Sequence, residues 1–295
     1  MSQVMRGHLA MLCFSALVAG SFSLGSLAAN EMAPAALNAV RFAIAAAVLG
    51  LAAKATVGLP RGMWQAPWRY GALAVVFASY FILMFEGLKT APPVSAAAVF
   101  TLTPIMSGLA GYILLRQVTT RHMALALLIG AVGALWVIFR ADLSSLLGFE
   151  VGKGEAIYFI GCAAHAIYTP LVKKLNRGET ALQFSFGVTL ACFFVALIWG
   201  WGDLAATNWG ALPSIVWITI LYVALAASAA TFVLLQFAAL RLPAAKVMAY
   251  TYLVPSWVLV WEVALGNGVP QILALGGVAL TIVALVMLLK DEAPA

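Results

Sequence analysis

The chain has 295 residues, 64% of them hydrophobic and 9% charged. A soluble domain carries about 25% charged residues, so charge this scarce excludes a water-soluble enzyme, a disordered chain, collagen and a disulfide scaffold. A net charge of +6 on a mean hydropathy of +1.05 fits a chain held in a bilayer with anionic headgroups.

A bilayer-spanning helix needs about 20 apolar residues. Ten such segments follow in chain order: 8–29, 34–53, 70–88, 93–115, 122–139, 153–173, 181–200, 212–237, 243–264 and 268–289. Pro34, Pro93, Pro213, Pro243 and Pro270 stand at segment starts. There a missing N–H costs no hydrogen bond. No long alternating pattern supports a transmembrane barrel. The first segment, with Arg6 before it and Leu27-Ala28-Ala29 at its end, has an alternative reading as a cleavable signal peptide. Its run is long for that, and a second span follows at once, so an uncleaved helix is the simpler reading. Cys13, Cys162 and Cys192 lie inside apolar runs and read as packing residues. Their spacing gives no disulfide or metal framework.

Loop charge sets orientation. With the N-terminus cytoplasmic, the inner side holds Arg6, Lys54, Arg61, Arg69, Arg116, Arg121, Lys173, Lys174, Arg177, Arg241, Lys246 and Lys290. The outer side holds only Lys89, Arg140 and Lys153, and Arg41 lies within a helix. Both termini are therefore expected in the cytoplasm. Trp64 and Trp68 fall at the inner interface, and Trp199, Trp201 and Trp209 at the outer one, as membrane belts require. No basic patch interleaved with exposed aromatics exists, so nucleic acid is not an expected partner.

The two halves resemble each other. Segments three to five contain Glu86-Gly-Leu-Lys-Thr, Pro93, Thr101-Leu-Thr-Pro104 and Gly130-Ala-Val-Gly133. Segments eight to ten contain Ala238-Ala-Leu-Arg-Leu, Pro243, Tyr252-Leu-Val-Pro255 and Gly276-Gly277-Val. Five helices per half put the second copy upside down relative to the first. The expectation is an all-α integral membrane protein of ten transmembrane helices in two inverted five-helix repeats, residues 1–142 and 143–295. Such inverted repeats are a common transporter plan, with a substrate site near the midplane.

These residues carry a resemblance. Pro34-x-x-Leu37-x-x-x-Arg41-Phe42, Gly87-Leu-Lys-Thr, Thr103-Pro104 and the glycine-rich fifth helix resemble the EamA family of the drug/metabolite transporter superfamily. Ala239-Leu-Arg, Val254-Pro255 and Gly276-Gly277 extend the likeness over nearly the whole chain. The chain is most similar to YddG-type amino-acid exporters. It departs from the family where Arg116-Gln117 and Asn267-Gly268 replace a frequent glutamate, and where helix one lacks a Trp-Gly/Ser step. The resemblance implies export of amino acids, amphipathic compounds or other metabolites across the cytoplasmic (inner) membrane.

Arg41 is a charge inside a span, which insertion makes costly. Glu86, near the outer end of helix three, is its expected ion-pair partner. The alternative pairs Glu86 with Lys89 at i+3 and lets Arg41 snorkel outward. Either way Arg41 reads as a helix anchor. His165 is the histidine near mid-span, either a cavity-lining or proton-coupling residue or a neutral ring bonded to a backbone carbonyl. The acids keep to ends and loops: Glu31, Asp142, Glu150, Glu155, Asp203 and Glu262 outside, and Glu179, Asp291 and Glu292 inside. A carboxylate proton relay is therefore missing, and passive or weakly coupled export fits. Mid-helix polar and aromatic residues give a candidate substrate-binding set of Ser79, Tyr80, Phe100, Tyr158, His165, Ser228, Tyr250 and Trp257. Tyrosine and tryptophan supply broad apolar contact with one hydrogen bond each. Pro104 and Pro255 occupy equivalent positions and read as gating hinges or permanent bends. Runs such as Ala226–Ala230 and Gly108-Leu-Ala-Gly111 permit close helix approach.

The leading expectation is a secondary transporter exporting small metabolites by alternating access. Its partners are membrane lipids and a small-molecule substrate, amino acids or amphipathic metabolites. No cofactor or metal is expected. A lipid-carrier or drug flippase of the same fold is the alternative. An intramembrane enzyme lacks a nucleophile–base or ligand cluster. No charged ring or carbonyl filter marks a channel, and no GxxxxGK[ST] loop marks an ATP-driven pump.

Overall fold

The computed structural model describes residues 2–118, 120–139, 142, 144, 151–267 and 272–290. Ten long helices run through the described residues: α1 Gln3–Ala28, α2 Pro34–Thr56, α3 Trp68–Leu88, α4 Pro93–Leu115, α5 Arg121–Ile138, α6 Lys153–Leu175, α7 Ala181–Trp199, α8 Ser214–Ala239, α9 Ala244–Ala264 and α10 Ile272–Lys290. Nine are long and apolar enough to cross a membrane, and the tenth adds the shorter apolar helix Leu275–Lys290. The molecule is an all-α multi-pass membrane protein. The division expected after residue 142 falls at residue 143, which lies outside the described residues.

Helix starts carry ordinary caps. The Ser2 hydroxyl accepts from the Met5 N–H, so α1 starts five residues before the expected segment. Thr120 caps α5 in the same way, and Thr180 and Gln183 form a reciprocal capping box on α7. Prolines open α2 and α4, where their fixed φ suits the first turn. Arg116 ends α4 in the left-handed region at φ 55, an uncommon conformation for a residue with a Cβ.

Three helices are interrupted. Helix α4 breaks between Phe100 and Thr103, and α9 passes through a 3₁₀ turn over Tyr250–Leu253. Pro104 and Pro255 stand in the first turn of the segments that follow these breaks, where a proline leaves no carbonyl unpaired. Helix α8 widens into a π turn over Leu225–Ala230, a distortion that often marks a functional position.

Packing follows a pseudo-two-fold relation that exchanges each helix with the one five places on. Helix α3 packs on α6, and α8 on α1. Helix α3 also meets α7 as α8 meets α2, and α4 meets α5 and α6 as α9 meets α10 and α1. The pairs α2·α7, α4·α9 and α5·α10 lie across the axis. This is the geometry of two inverted five-helix repeats. Small residues permit the closest approaches. At α5·α10 a Cβ on Gly133 would stand 2.6 Å from the Gly277 carbonyl, and the reverse holds equally. At α4·α9 the Thr103 and Thr251 hydroxyls meet at 3.3 Å beside the two breaks.

Candidate functional site

A cluster of aromatic rings fills the space where the two halves meet. Helix α3 sends in Phe77, Tyr80 and Phe81 one to four residues apart, so they share a face. Phe100 enters at the α4 break, Tyr158, His165 and Tyr168 come from α6, and Phe232 from α8. The His165 ring lies edge-on to Tyr80 at 4.4 Å, to Phe77 at 5.3 Å and to Phe100 at 5.4 Å between centroids. Phe77 stacks on Tyr168 at 3.8 Å. The Tyr80 and Tyr158 hydroxyls share a hydrogen bond of 3.1 Å. Tyr80, Phe100 and Tyr158 are 0% exposed and His165 is 1% exposed, so the cluster is closed to solvent in this conformation.

Several buried polar atoms among the described residues have no partner. They include His165 Nδ1, Thr169 Oγ1, Ser185 Oγ and Gln236 Oε1. Gln236 spends its amide N–H on the Tyr168 hydroxyl at 3.1 Å, which leaves its oxygen free. Buried polar atoms in folded proteins are nearly always paired, so the orphans at the rings, His165 Nδ1 and the Gln236 Oε1 beside Tyr168, mark a place built for more than packing. The carbonyl-bonded alternative for His165 does not describe its Nδ1.

Arg41 borders the same rings. Its guanidinium lies 3.8 Å above the Phe81 ring and is fully buried. Nε donates to Ser228 Oγ at 2.6 Å, and an Nη2 hydrogen to the Ala227 carbonyl at 2.7 Å. Nη1 reaches Asn38 Oδ1 at 3.4 Å. Both α8 acceptors lie in the π turn.

The expected Arg41–Glu86 pair does not form. Glu86 pairs with Lys89 at 2.7 Å, three residues along its own chain, and Arg41 turns inward between α2 and α8. Arg41 does not snorkel either. Ser79 leaves the candidate set: its hydroxyl bonds the Val75 carbonyl at 2.7 Å on a partly exposed face, one residue off the face that carries Tyr80. Tyr250 and Trp257 turn to α1 instead of the ring cluster. The Tyr250 hydroxyl meets His8 Nδ1 at 3.1 Å, and Trp257 Nε1 donates to Ser15 Oγ at 3.3 Å with the ring 38% exposed. Glu155, expected at an end or loop, is buried in the first turn of α6 and accepts from Ser95 of α4 at 2.8 Å.

The structure adds residues that single-sequence reading missed. Phe77, Phe81 and Tyr168 are central to the cluster, and Asn38 supports Arg41. Their signal was present as the α3 spacing and the Asn38-x-x-Arg41 step. At the end rich in basic residues, Arg69 donates to Glu179 at 2.6 Å and to the Leu175 carbonyl at 2.6 Å. Burial works against the Glu179 carboxylate there, but the Arg69 guanidinium and the Arg177 N–H outweigh it and hold its carboxyl below the usual value.

Comparison with known proteins places this arrangement. Residues 5–139 and 152–290 each match the EamA-like transporter family. The chain belongs to that family. It is 22% identical over 276 residues to the uncharacterized transporter YyaM of Bacillus subtilis (strain 168), covering 92% of this chain and 90% of that one. A solved crystal structure aligns with a TM-score of 0.72 at 20% identity, over 97% of this chain and 96% of the other, a likeness of fold. Each family match spans one of the five-helix halves. A small-molecule substrate and a membrane setting follow from the family.

Proposed function

We propose that the protein exports amino acids and related small amphipathic metabolites across the cytoplasmic membrane by alternating access. The observation that carries this reading is the closed ring cluster, built from both halves, with an unpartnered imidazole nitrogen near its middle. Rings with single polar handles accept apolar bodies of varied shape while fixing one hydrogen bond. An intramembrane ionisable group facing the interior of a bundle marks a substrate or ion pathway.

The proposed moving units are residues 1–142 and 143–295. Because the cluster is shut on all sides, substrate enters only when the halves rock apart at one end. The α4 and α9 breaks, capped by Pro104 and Pro255 and joined through Thr103 and Thr251, are the proposed hinges. Both termini face the cytoplasm in this reading, since twelve basic residues gather at that end. Chemistry on the substrate is not part of the proposal, and the protein acts as a carrier and not as an enzyme.

Proteoliposomes test it directly. Vesicles holding the protein are expected to exchange labelled amino acids saturably. Rates equal to empty vesicles across a broad panel, with and without a pH gradient, would remove the transport reading.

A further inference from the structure

Arg41 is a cation folded into the bundle without an anion to meet it. The two ion pairs among the described residues are Arg69–Glu179 and Lys89–Glu86, both at helix ends. Of the other buried or partly buried carboxylates among the described residues, Glu155 accepts from Ser95, and Glu262 accepts from Asn267 through Oε2 while its Oε1 has no partner. An uncompensated buried charge is among the costliest groups a fold can hold. The protein nevertheless orients this one closely, with a hydroxyl, an amide oxygen, a carbonyl from the π turn and the face of Phe81.

That orientation leaves capacity unused. A guanidinium carries five N–H donors. Three are accounted for by Ser228, Asn38 and Ala227, and two remain. A planar fork with two spare donors matches a carboxylate. The face beneath it continues directly into the ring cluster. Phe81 lies 4.6 Å from Tyr80, and Tyr80 lies 4.4 Å from His165, whose Nδ1 has no partner. A ligand with an anionic head at Arg41 would therefore lay an apolar body among rings and reach a free imidazole nitrogen.

We propose that Arg41 binds the carboxylate of the transported molecule. The substrate class is then small monocarboxylates with an apolar or aromatic body, in which an ammonium group is dispensable. Among the described residues, the buried carboxylate on the same helix as the rings of α6, Glu155, is already engaged by Ser95 a turn before Tyr158, so it does not demand that ammonium. Amino acids belong to the class through their carboxylate, and amines of the same shape do not. The proposal rests on the transporter reading and narrows it.

Binding to the purified full-length protein tests the assignment, by ligand-induced thermal shift or tryptophan quenching. The probes are phenyl, indole and branched-alkyl bodies, each as the amino acid, as the acid lacking the amine, and as the amine lacking the acid. Acids and amino acids are expected to bind at least tenfold more tightly than the matching amines. Arg41→Gln should erase that preference, and Arg41→Lys should retain part of it, since it keeps the charge but loses the fork. Amines binding as tightly as acids to the wild-type protein would overturn the proposal even if neither variant folds. Absence of binding by every probe would overturn it as well. Saturable proteoliposome exchange of other solutes would then show that the transport reading survives, and empty-vesicle rates for all solutes would show that it fails too.

Discussion

The pseudo-two-fold axis makes two seams equivalent, and each holds an arginine in a different way. Where α3 meets α7, Arg69 sits at the end of the bundle and faces the carboxylate of Glu179, with Tyr70 donating to the same oxygen at 3.2 Å. Where α8 meets α2, Arg41 lies inside the bundle and faces neutral oxygens and a phenyl ring. The interior of the α3·α7 seam has no charge at all. There Cys192 makes a weak thiol contact of 3.9 Å to the Ala74 carbonyl. Equivalent backbones thus carry a finished ion pair on one side and an unfinished one on the other. The finished pair ties a loop to a helix start. The unfinished pair is met by neutral oxygens and a ring face alone, and the proposal assigns the missing anion to a ligand.

The largest effect is expected at the finished pair. Arg69→Ala strands Glu179, whose side chain is 7% exposed, and removes the bond to the Leu175 carbonyl. Removing one partner of a buried pair costs about 3 kcal/mol or more. Thermal unfolding of the purified protein should show that loss, while acid-over-amine selectivity stays unchanged. A selectivity change at Arg69 would break the distinction between the seams.

Acid titration gives the next effect. The Glu179 carboxyl is held below its usual value in the folded protein. Its stabilising contribution is therefore complete above the unfolded value of about 4.3, and is lost as pH falls through the lower folded value. Stability measured from pH 7 downward should decline in that acid range. The Glu179→Gln protein should lack this part of the decline, and an identical decline in both proteins would remove Glu179 from the account.

Legibility in the sequence followed the same division. The ten helices of the described residues, nine of them long and apolar enough to span, the inverted repeat and the breaks near Pro104 and Pro255 were readable, because hydropathy and proline act within one segment. So was the Glu86–Lys89 alternative, which depends only on i,i+3 spacing. The partner of Arg41 was not readable. It is a π turn in Leu225–Ala230, a run of small residues with no local mark of a widened helix. Ser79 was misplaced for a related reason. Helix α3 is apolar nearly all round, so its sequence does not say which face meets its neighbours. Tyr80 and Ser79 are adjacent in sequence and lie on different faces.

Ser228→Ala sharpens the comparison from the other side. It removes the oxygen 2.6 Å from Arg41 Nε and leaves a buried charged donor unpaired. The guanidinium keeps its place over Phe81 but loses one restraint on its plane. The expected cost is about 1–2 kcal/mol, or roughly a tenfold weakening of carboxylate binding. Binding of the amine probes should not change. Equal weakening of both would make Ser228 a packing residue.

Cys192→Ala supplies the matching measurement on the opposite seam, with the smallest effect. The thiol is fully buried, so its removal deletes packing volume and one weak contact to Ala74. A small loss of stability of about 1 kcal/mol is expected from the vacated volume. Arg41 makes its hydrogen bonds to Ser228, Asn38 and Ala227 and none to Cys192, so acid-over-amine selectivity should remain at its wild-type value. The ratio between the Ser228→Ala and Cys192→Ala effects on selectivity is therefore the direct measure of how far the two seams differ. A ratio near one would mean that symmetry of fold has carried over into symmetry of function, and that Arg41 is held as structure alone.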